Sequence, residues 1–182
     1  DAGFITDPKV SPEGHYISYV QSQNLHILDL RDGASNQLPR DGGGDVKNGI
    51  AEFIAQEEMD RNTGYWWAPD ESGIAYAQID ESGVEIVQRY EISADDFTVF
   101  EQRYPGAGTP NVTVKLGVVS LEGKTQWLDL GAEQDIYLAR VGWTADSAAV
   151  LAQRQPRDQK SLDLLRFDLS SGKVSTLLSE SS

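Results

Sequence analysis

Short apolar and alternating segments, each four to eight residues long, recur through this chain between clusters of Gly, Pro, Asp and Ser. A period of two places successive side chains on opposite faces of a sheet, so the pattern predicts strands. Three stretches repeat one another: Val10-Ser11-Pro12-Glu13-Gly14-His15-Tyr16-Ile17-Ser18-Tyr19, Trp67-Ala68-Pro69-Asp70-Glu71-Ser72-Gly73-Ile74-Ala75-Tyr76 and Trp143-Thr144-Ala145-Asp146-Ser147-Ala148-Ala149-Val150-Leu151-Ala152. Each is a strand end, a turn and a new strand. Pro presets φ for such a turn and Gly tolerates positive φ. A second motif follows each copy: Leu25–Leu30, Leu116–Leu121 and Leu164–Leu169, closed by Asp32-Gly33, Glu122-Gly123 and Ser171-Gly172.

The third copy predicts a whole unit, with strands near Ile136–Trp143, Ala148–Arg154, Leu162–Leu169 and Val174–Leu178. Four strands in 43 residues is the size of one propeller blade. A lone meander cannot bury both faces, so the units must stack. The expected fold is all-β: about three four-stranded antiparallel blades of a β-propeller, with one short helix and a long hairpin arm. Blade motifs lie near 10–38, 65–128 and 136–178, all within one partial domain over 1–182. A β-sandwich is the competing architecture, and the threefold match of a two-part motif favours the propeller.

The copies are 57 and then 76 residues apart, against about 40–50 for a blade. Two insertions account for the excess, at 39–64 and 85–114. The first carries the convincing helix signal, Ile50 to Arg61. Ala, Glu, Gln and Met favour a helix, and Ile50, Phe53 and Ile54 share a face. Asn48 or Gly49 is the expected cap. The helix ends in Glu57-Glu58, whose side chains diverge by about 100° at the end where the helix dipole disfavours negative charge. Two such carboxylates can clamp a cation such as a protonated amine; a solvated acidic face is the plainer alternative. The second insertion predicts a strand over Val84–Ile92, a break at Ala94–Thr98 and an irregular arm over Glu101–Asn111, packed on a neighbour. Asn111-Val112-Thr113 matches a glycosylation sequon, a weak three-residue pattern.

Charge and composition then narrow the function. Fifteen Lys and Arg against 29 Asp and Glu leave a net charge of −14. Such a chain is repelled by nucleic acid and anionic lipid. No apolar run is long enough for a membrane helix. The absence of Cys removes disulfides, thiolate catalysis and Cys-type zinc sites. With two His, His15 and His26, a multi-His metal site is not expected, and no cofactor is implied. The chain begins at Asp1 without Met or a leader, and is expected to be a piece of a longer one. There is no G-x-S-x-G elbow and no phosphate-binding Gly loop. Ser18 and His15 are neighbours without a catalytic pattern. Asp41 and Asp45 flank a Gly run but lack the further oxygens that Ca²⁺ needs. By residue chemistry alone the chain is a binding surface.

One resemblance sharpens this. Asn48-Gly49-Ile50…Phe53…Gln56-Glu57-Glu58-Met59…Tyr65-Trp66-Trp67-Ala68-Pro69-Asp70…Ile74-Ala75-Tyr76 resembles the propeller of the dipeptidyl peptidase IV group in the prolyl oligopeptidase family. Tyr104-Pro105…Ala107-Gly108…Asn111…Val114-Lys115 and Tyr137-Leu138…Arg140-Val141…Trp143 resemble it too. The matches run from about Val10 to Leu169. The resemblance implies an eight-bladed propeller capping an α/β-hydrolase domain of the same chain. A Ser-Asp-His triad there, beyond Ser182, removes N-terminal dipeptides with Pro or Ala second. It implies that Glu57 and Glu58 bind the free N-terminal amine of peptide substrates, that the 85–114 arm pairs two subunits into a homodimer, and that the protein is periplasmic or secreted. Two departures stand out. Val112 occupies a position where many relatives have Pro, and a propeller Arg that contacts substrate in relatives would lie upstream of Tyr16. A propeller without peptidase, used for protein docking, is the alternative function.

Overall fold

The computed structural model describes residues 4–182 and is all β apart from one turn of helix. A first sheet is the meander β1 (Thr6–Val10), β2 (Tyr16–Gln21), β3 (Asn24–Asp29) and β4 (Ser35–Gln37), each strand antiparallel to the next. After β5 (Val46–Asn48), α1 (Phe53–Glu57) and β6 (Tyr65–Trp67) comes the long central strand β7 (Gly73–Asp80). A two-stranded arm, β8 (Ile86–Ile92) and β9 (Phe97–Arg103), precedes β10 (Thr113–Ser120) and β11 (Thr125–Leu128). The second sheet has the order β11-β10-β7-β5, with β6 also on β7. The third is the meander β12 (Ile136–Trp143), β13 (Ala149–Pro156), β14 (Ser161–Asp168) and β15 (Val174–Ser181).

The repeated turns share one hydrogen-bond pattern. Gly14, Glu71 and Ser147 donate their N–H to Ser11, Ala68 and Thr144, and all three have positive φ, +82°, +58° and +57°. Ser11, Ala68 and Thr144 in turn donate to Tyr16, Gly73 and Ala149 at 2.9 Å. The second motif behaves alike: Gly33, Gly123 and Gly172 donate to Asp29, Ser120 and Asp168. The sequence repeat is thus a geometric one, and only the first copy uses Gly at the strained position of the strand-opening turn.

The sheets pack face to face in series. Tyr16, Val20, Leu25 and Ile27 of the first meet Tyr65, Ile74, Tyr76 and Val119 of the second. The other face of the second sheet, with Ala75, Ile79, Val114 and Leu116, meets Ile136, Leu138, Val150 and Phe167 of the third. Strand β7 lies between both layers and is buried from Gly73 to Ile79, which explains its nearly continuous apolar sequence. At the far side β15 is mostly exposed, with Leu177 and Leu178 open to solvent.

Two expectations need correction. The helix spans five residues, Phe53–Glu57, rather than 50–61. Ile50 to Glu52 stay outside it because Glu52, its N-cap, has φ −70° and ψ 165°. Neither Asn48 nor Gly49 caps it: Asn48 is in β5, where its amide donates to Asn24 and Asp41. The arm is also more regular than expected. Strand β9 pairs with β8 along its whole length, from Ile92 opposite Phe97 to Ile86 opposite Arg103, so irregular chain begins at Tyr104.

Candidate functional site

Strands β5 and β6 lie on the same edge of β7. Asn48 faces Gln78 and Tyr65 faces Tyr76, so two steps along β7 correspond to seventeen along the opposing chain. Ala77 joins the two ends. It accepts from the Gly49 N–H at 2.9 Å and donates to the Gly64 carbonyl at 2.8 Å. The chain therefore leaves the sheet at Gly49 and returns at Gly64, with the intervening residues forming an Ω-type loop. The close pinch needs glycine. A Cβ on Gly64 would lie 2.3 Å from the Ile50 nitrogen, and Gly49 has φ +75°.

Helix α1 sits in this loop. Glu57 is its last residue and Glu58 its C-cap. Both are exposed, and neither carboxylate has a hydrogen-bond or ion-pair partner among the described residues. A five-residue helix without a side-chain cap has little stability of its own, so its surroundings hold it. Phe53 packs edge-on against Tyr104 at 5.2 Å. Arg140 of β12 donates to the Met59 carbonyl at 2.7 Å, a cation against the unfavourable end of the helix. Beneath the loop, Arg61 pairs with Glu52 at 2.6 Å. A cavity of about 430 Å³ opens between loop and arm, lined in part by Lys47, Phe53, Gln56, Gln102 and Arg103.

The arm is anchored at its base. Arg103 makes a two-pronged contact with Asp45 at 2.9 Å, and Arg157 donates to the carbonyls of Gly106 and Thr109. Its outer part exposes Tyr90, Ile92, Phe97, Val99 and Phe100 to solvent among charged residues such as Arg89 and Glu91.

The remaining sequence candidates have structural partners. Ser18 is buried and receives the Trp67 indole N–H at 2.8 Å, while His15 meets Glu71 at 2.7 Å. Asp41 accepts from Asn48 and Gln78, and Asp45 is held by Arg103. The amide nitrogen of Asn111 is buried, so the sequon is closed to a glycan in the folded chain. Among the described residues Glu13, His15 and Glu71 could group around a metal ion, their ligand atoms within 4.8 Å. Glu71 is already engaged there by the Glu13 N–H and by His15. Burial pushes its carboxyl up, but hydrogen bonds from Ser11, His15 and Glu13 outweigh this and leave it below the ordinary value.

Arg61, Gly64 and Arg140 escaped the sequence reading as site residues. The available signal was the glycine pair: Gly49 with Gly64, the latter just before Tyr65-Trp66-Trp67, marks a departure and a return.

Two four-stranded meanders and a five-stranded sheet between them, packed face to face in series, with a loop extruded from one edge of the middle sheet and a hairpin from its next connection, define a segment of β-propeller type. The chain belongs to the family of dipeptidyl peptidase IV N-terminal regions, whose family model matches residues 1–182. It is 25% identical over 180 residues to dipeptidyl peptidase 4 of Bos taurus, covering 90% of this chain and 23% of that one. It is 29% identical over 179 residues to the probable dipeptidyl peptidase 4 of Aspergillus flavus, covering 92% and 23%. The crystal structure of Porphyromonas gingivalis dipeptidyl peptidase 4 matches all of this chain and 26% of its own, with TM-score 0.91 at 22% identity. That of a putative dipeptidyl aminopeptidase IV from Bacteroides ovatus matches 98% of this chain and 24% of its own, with TM-score 0.80 at 23% identity. At these identities the structural likeness is one of fold. The chain spans about a quarter of the length of the curated relatives it matches.

Proposed function

We propose that this chain is the substrate-selecting part of a serine-type dipeptidyl peptidase, with Glu57 and Glu58 as the anchor for the substrate's N-terminal ammonium. The observation that carries the reading is the state of this pair: two adjacent carboxylates, exposed and without a partner among the described residues, on a loop that is otherwise firmly tied down. An ammonium has three donors and a carboxylate only acceptors, so the match is charge-assisted and directional. Gripping the terminus fixes how far along the peptide the scissile bond lies, and a blocked or internal residue has no ammonium to offer.

On this reading the three larger sheets are successive blades, near 10–38, 65–128 and 136–178, of an eight-bladed propeller. It covers an α/β-hydrolase domain that supplies the Ser-Asp-His triad and cleaves after Xaa-Pro or Xaa-Ala. The exposed arm, 85–114, is the contact between two subunits. The protein works in the periplasm or outside the cell, where peptides with free N-termini are its substrates.

The test is hydrolysis of Xaa-Pro anilides by the natural protein that carries this segment, beside its Glu57→Gln and Glu58→Gln variants. Loss of one charged hydrogen bond is worth about 1.5–3 kcal/mol, so each variant should lose at least about tenfold in kcat/KM. Unchanged kinetics would refute the anchor. An inactive wild-type protein would make the chain a docking module, with the arm as its interface.

A further inference from the structure

Among the described residues Glu52 and Arg61 form an ion pair with both side chains almost wholly removed from water, 1% and 3% exposed. Such a pair is poor evidence of stability, because desolvation offsets its attraction. Glu52 also carries a buried, unpartnered Oε1, which adds a further penalty. The geometry around Arg61 suggests what the pair does instead.

All three guanidinium nitrogens of Arg61 are used. Nη2 donates to Glu52 Oε2 at 2.6 Å, Nη1 to the Thr63 carbonyl at 2.9 Å and Nε to the Leu138 carbonyl at 2.8 Å. Its backbone N–H donates to the Ala55 carbonyl at 2.9 Å. One residue thereby joins the N-cap of α1, the middle of α1, the returning limb of the loop and strand β12 of the neighbouring sheet. Glu57 and Glu58 lie between Ala55 and Arg61, inside the turn that this residue closes. The planar guanidinium holds its three partners at fixed angles, which a lysine cannot do.

We propose that Arg61 is the positioning residue of the ammonium anchor: it fixes the Glu57 and Glu58 carboxylates relative to β12 and so sets how strongly a charged N-terminus is preferred over an uncharged one. This rests on the reading of Glu57 and Glu58 given above. Arg61 is buried beneath the loop and acts through the two carboxylates.

The experiment uses the full natural protein and two substrates, a dipeptidyl anilide and its analogue lacking the α-amino group. The ratio of their kcat/KM values measures anchoring apart from the cleavage chemistry. In the paired variant Glu52→Leu/Arg61→Met an apolar contact replaces the ion pair, a change buried pairs often tolerate. Met cannot donate to the Leu138 and Thr63 carbonyls, so we expect a lowered melting temperature in a protein that still folds, unchanged cleavage of the analogue, and a ratio lower by about 10- to 100-fold, the scale of a misplacement near 1 Å. Arg61→Lys keeps the charge but not the reach, so its ratio should fall too. It also serves if the paired variant does not fold.

An unchanged ratio in a folded variant would overturn the proposal. So would a parallel loss on both substrates, or failure of both variants to fold, because Arg61 would then serve the fold alone. Glu57→Gln/Glu58→Gln separates the two claims. If that variant loses the preference and the Arg61 variants keep it, the positioning role alone is wrong. If it keeps the preference, the anchor itself is wrong.

Discussion

Replacing Gly64 by Ala tests whether the pinch at the neck of the loop is a structural requirement. The added Cβ would sit 2.3 Å from the Ile50 nitrogen and 2.4 Å from the carbonyl carbons of Gly49 and Ile50. All three are backbone atoms, so no side chain can swing aside and the two limbs must part by about 1 Å. Both hydrogen bonds of Ala77, accepted from the Gly49 N–H at 2.9 Å and donated to the Gly64 carbonyl at 2.8 Å, lie on that seam. Leaving such buried groups unsatisfied costs about 1–3 kcal/mol each. The stiffer unfolded chain returns about 0.4–1 kcal/mol. The net is roughly 1.5–5 kcal/mol, or amide exchange faster by about tenfold to several thousandfold. Hydrogen exchange of segments 46–49 and 73–80 measures it. Gly142→Ala is the control. Nothing lies within 4 Å of a Cβ there and φ is not positive, so the same change should be neutral or stabilising. If exchange in Gly64→Ala matches that in Gly142→Ala, the pinch is not a requirement.

Further outcomes follow from other parts of the molecule. Leu116→Ala opens a cavity in the layer between the second and third sheets, where Leu116 is fully buried, and should lower stability by about 2–5 kcal/mol in denaturant unfolding. Burial raises the phenols of Tyr65, Tyr137 and Tyr76, the last to about 12. A raised folded-state pKa favours the neutral phenol, so this contribution is whole below the ordinary value of 10.0 and is lost as pH climbs through about 12. The phenolate absorbance of these three rings should therefore appear together with unfolding, and the alkaline limb should be shallower in Tyr76→Phe. Arg157→Ala removes the donors to Gly106 and Thr109 and should make the 104–110 loop a new site of limited proteolysis; an unchanged cleavage pattern would show that the loop is held otherwise.

The third sheet was readable to within three residues at every strand end, because each of its strands is bounded by its own turn residues. The short strand β5 was not, because three residues in Val46-Lys47-Asn48 carry no periodicity and owe their pairing to β7. Helix length was overread for a related reason. Propensity favours a helix from Ile50 onward, but Gly49 must still satisfy Ala77, and Glu52 is drawn inward to Arg61. Tertiary contacts thus decide both ends. Strand β9 was hidden by the break expected at Ala94–Thr98: the hairpin turn closes between Ser93 and Asp96, and Phe97 and Thr98 already belong to the strand. Glu57 and Glu58 were visible in sequence only as a charge conflict joined to a resemblance. What holds them, Arg61 reaching Leu138 across 77 residues of chain, is a long-range fact that local sequence does not carry.

The neck at Ala77 makes the loop separable from the sheet that bears it. Splicing Gly49 directly to Tyr65 would restore an unbroken edge strand, since Gly49 already meets Ala77 and Tyr65 already faces Tyr76. The excision would leave scars where the loop now touches its surroundings: the Leu138 carbonyl, the Arg140 guanidinium, the Tyr104 ring and the Asp7 carboxylate would each lose a partner. The loop is therefore an appendage to the sheet, and its length and content can change while the strands beneath keep their register. The same neck also offers a place to graft a different loop without redesigning the sheet.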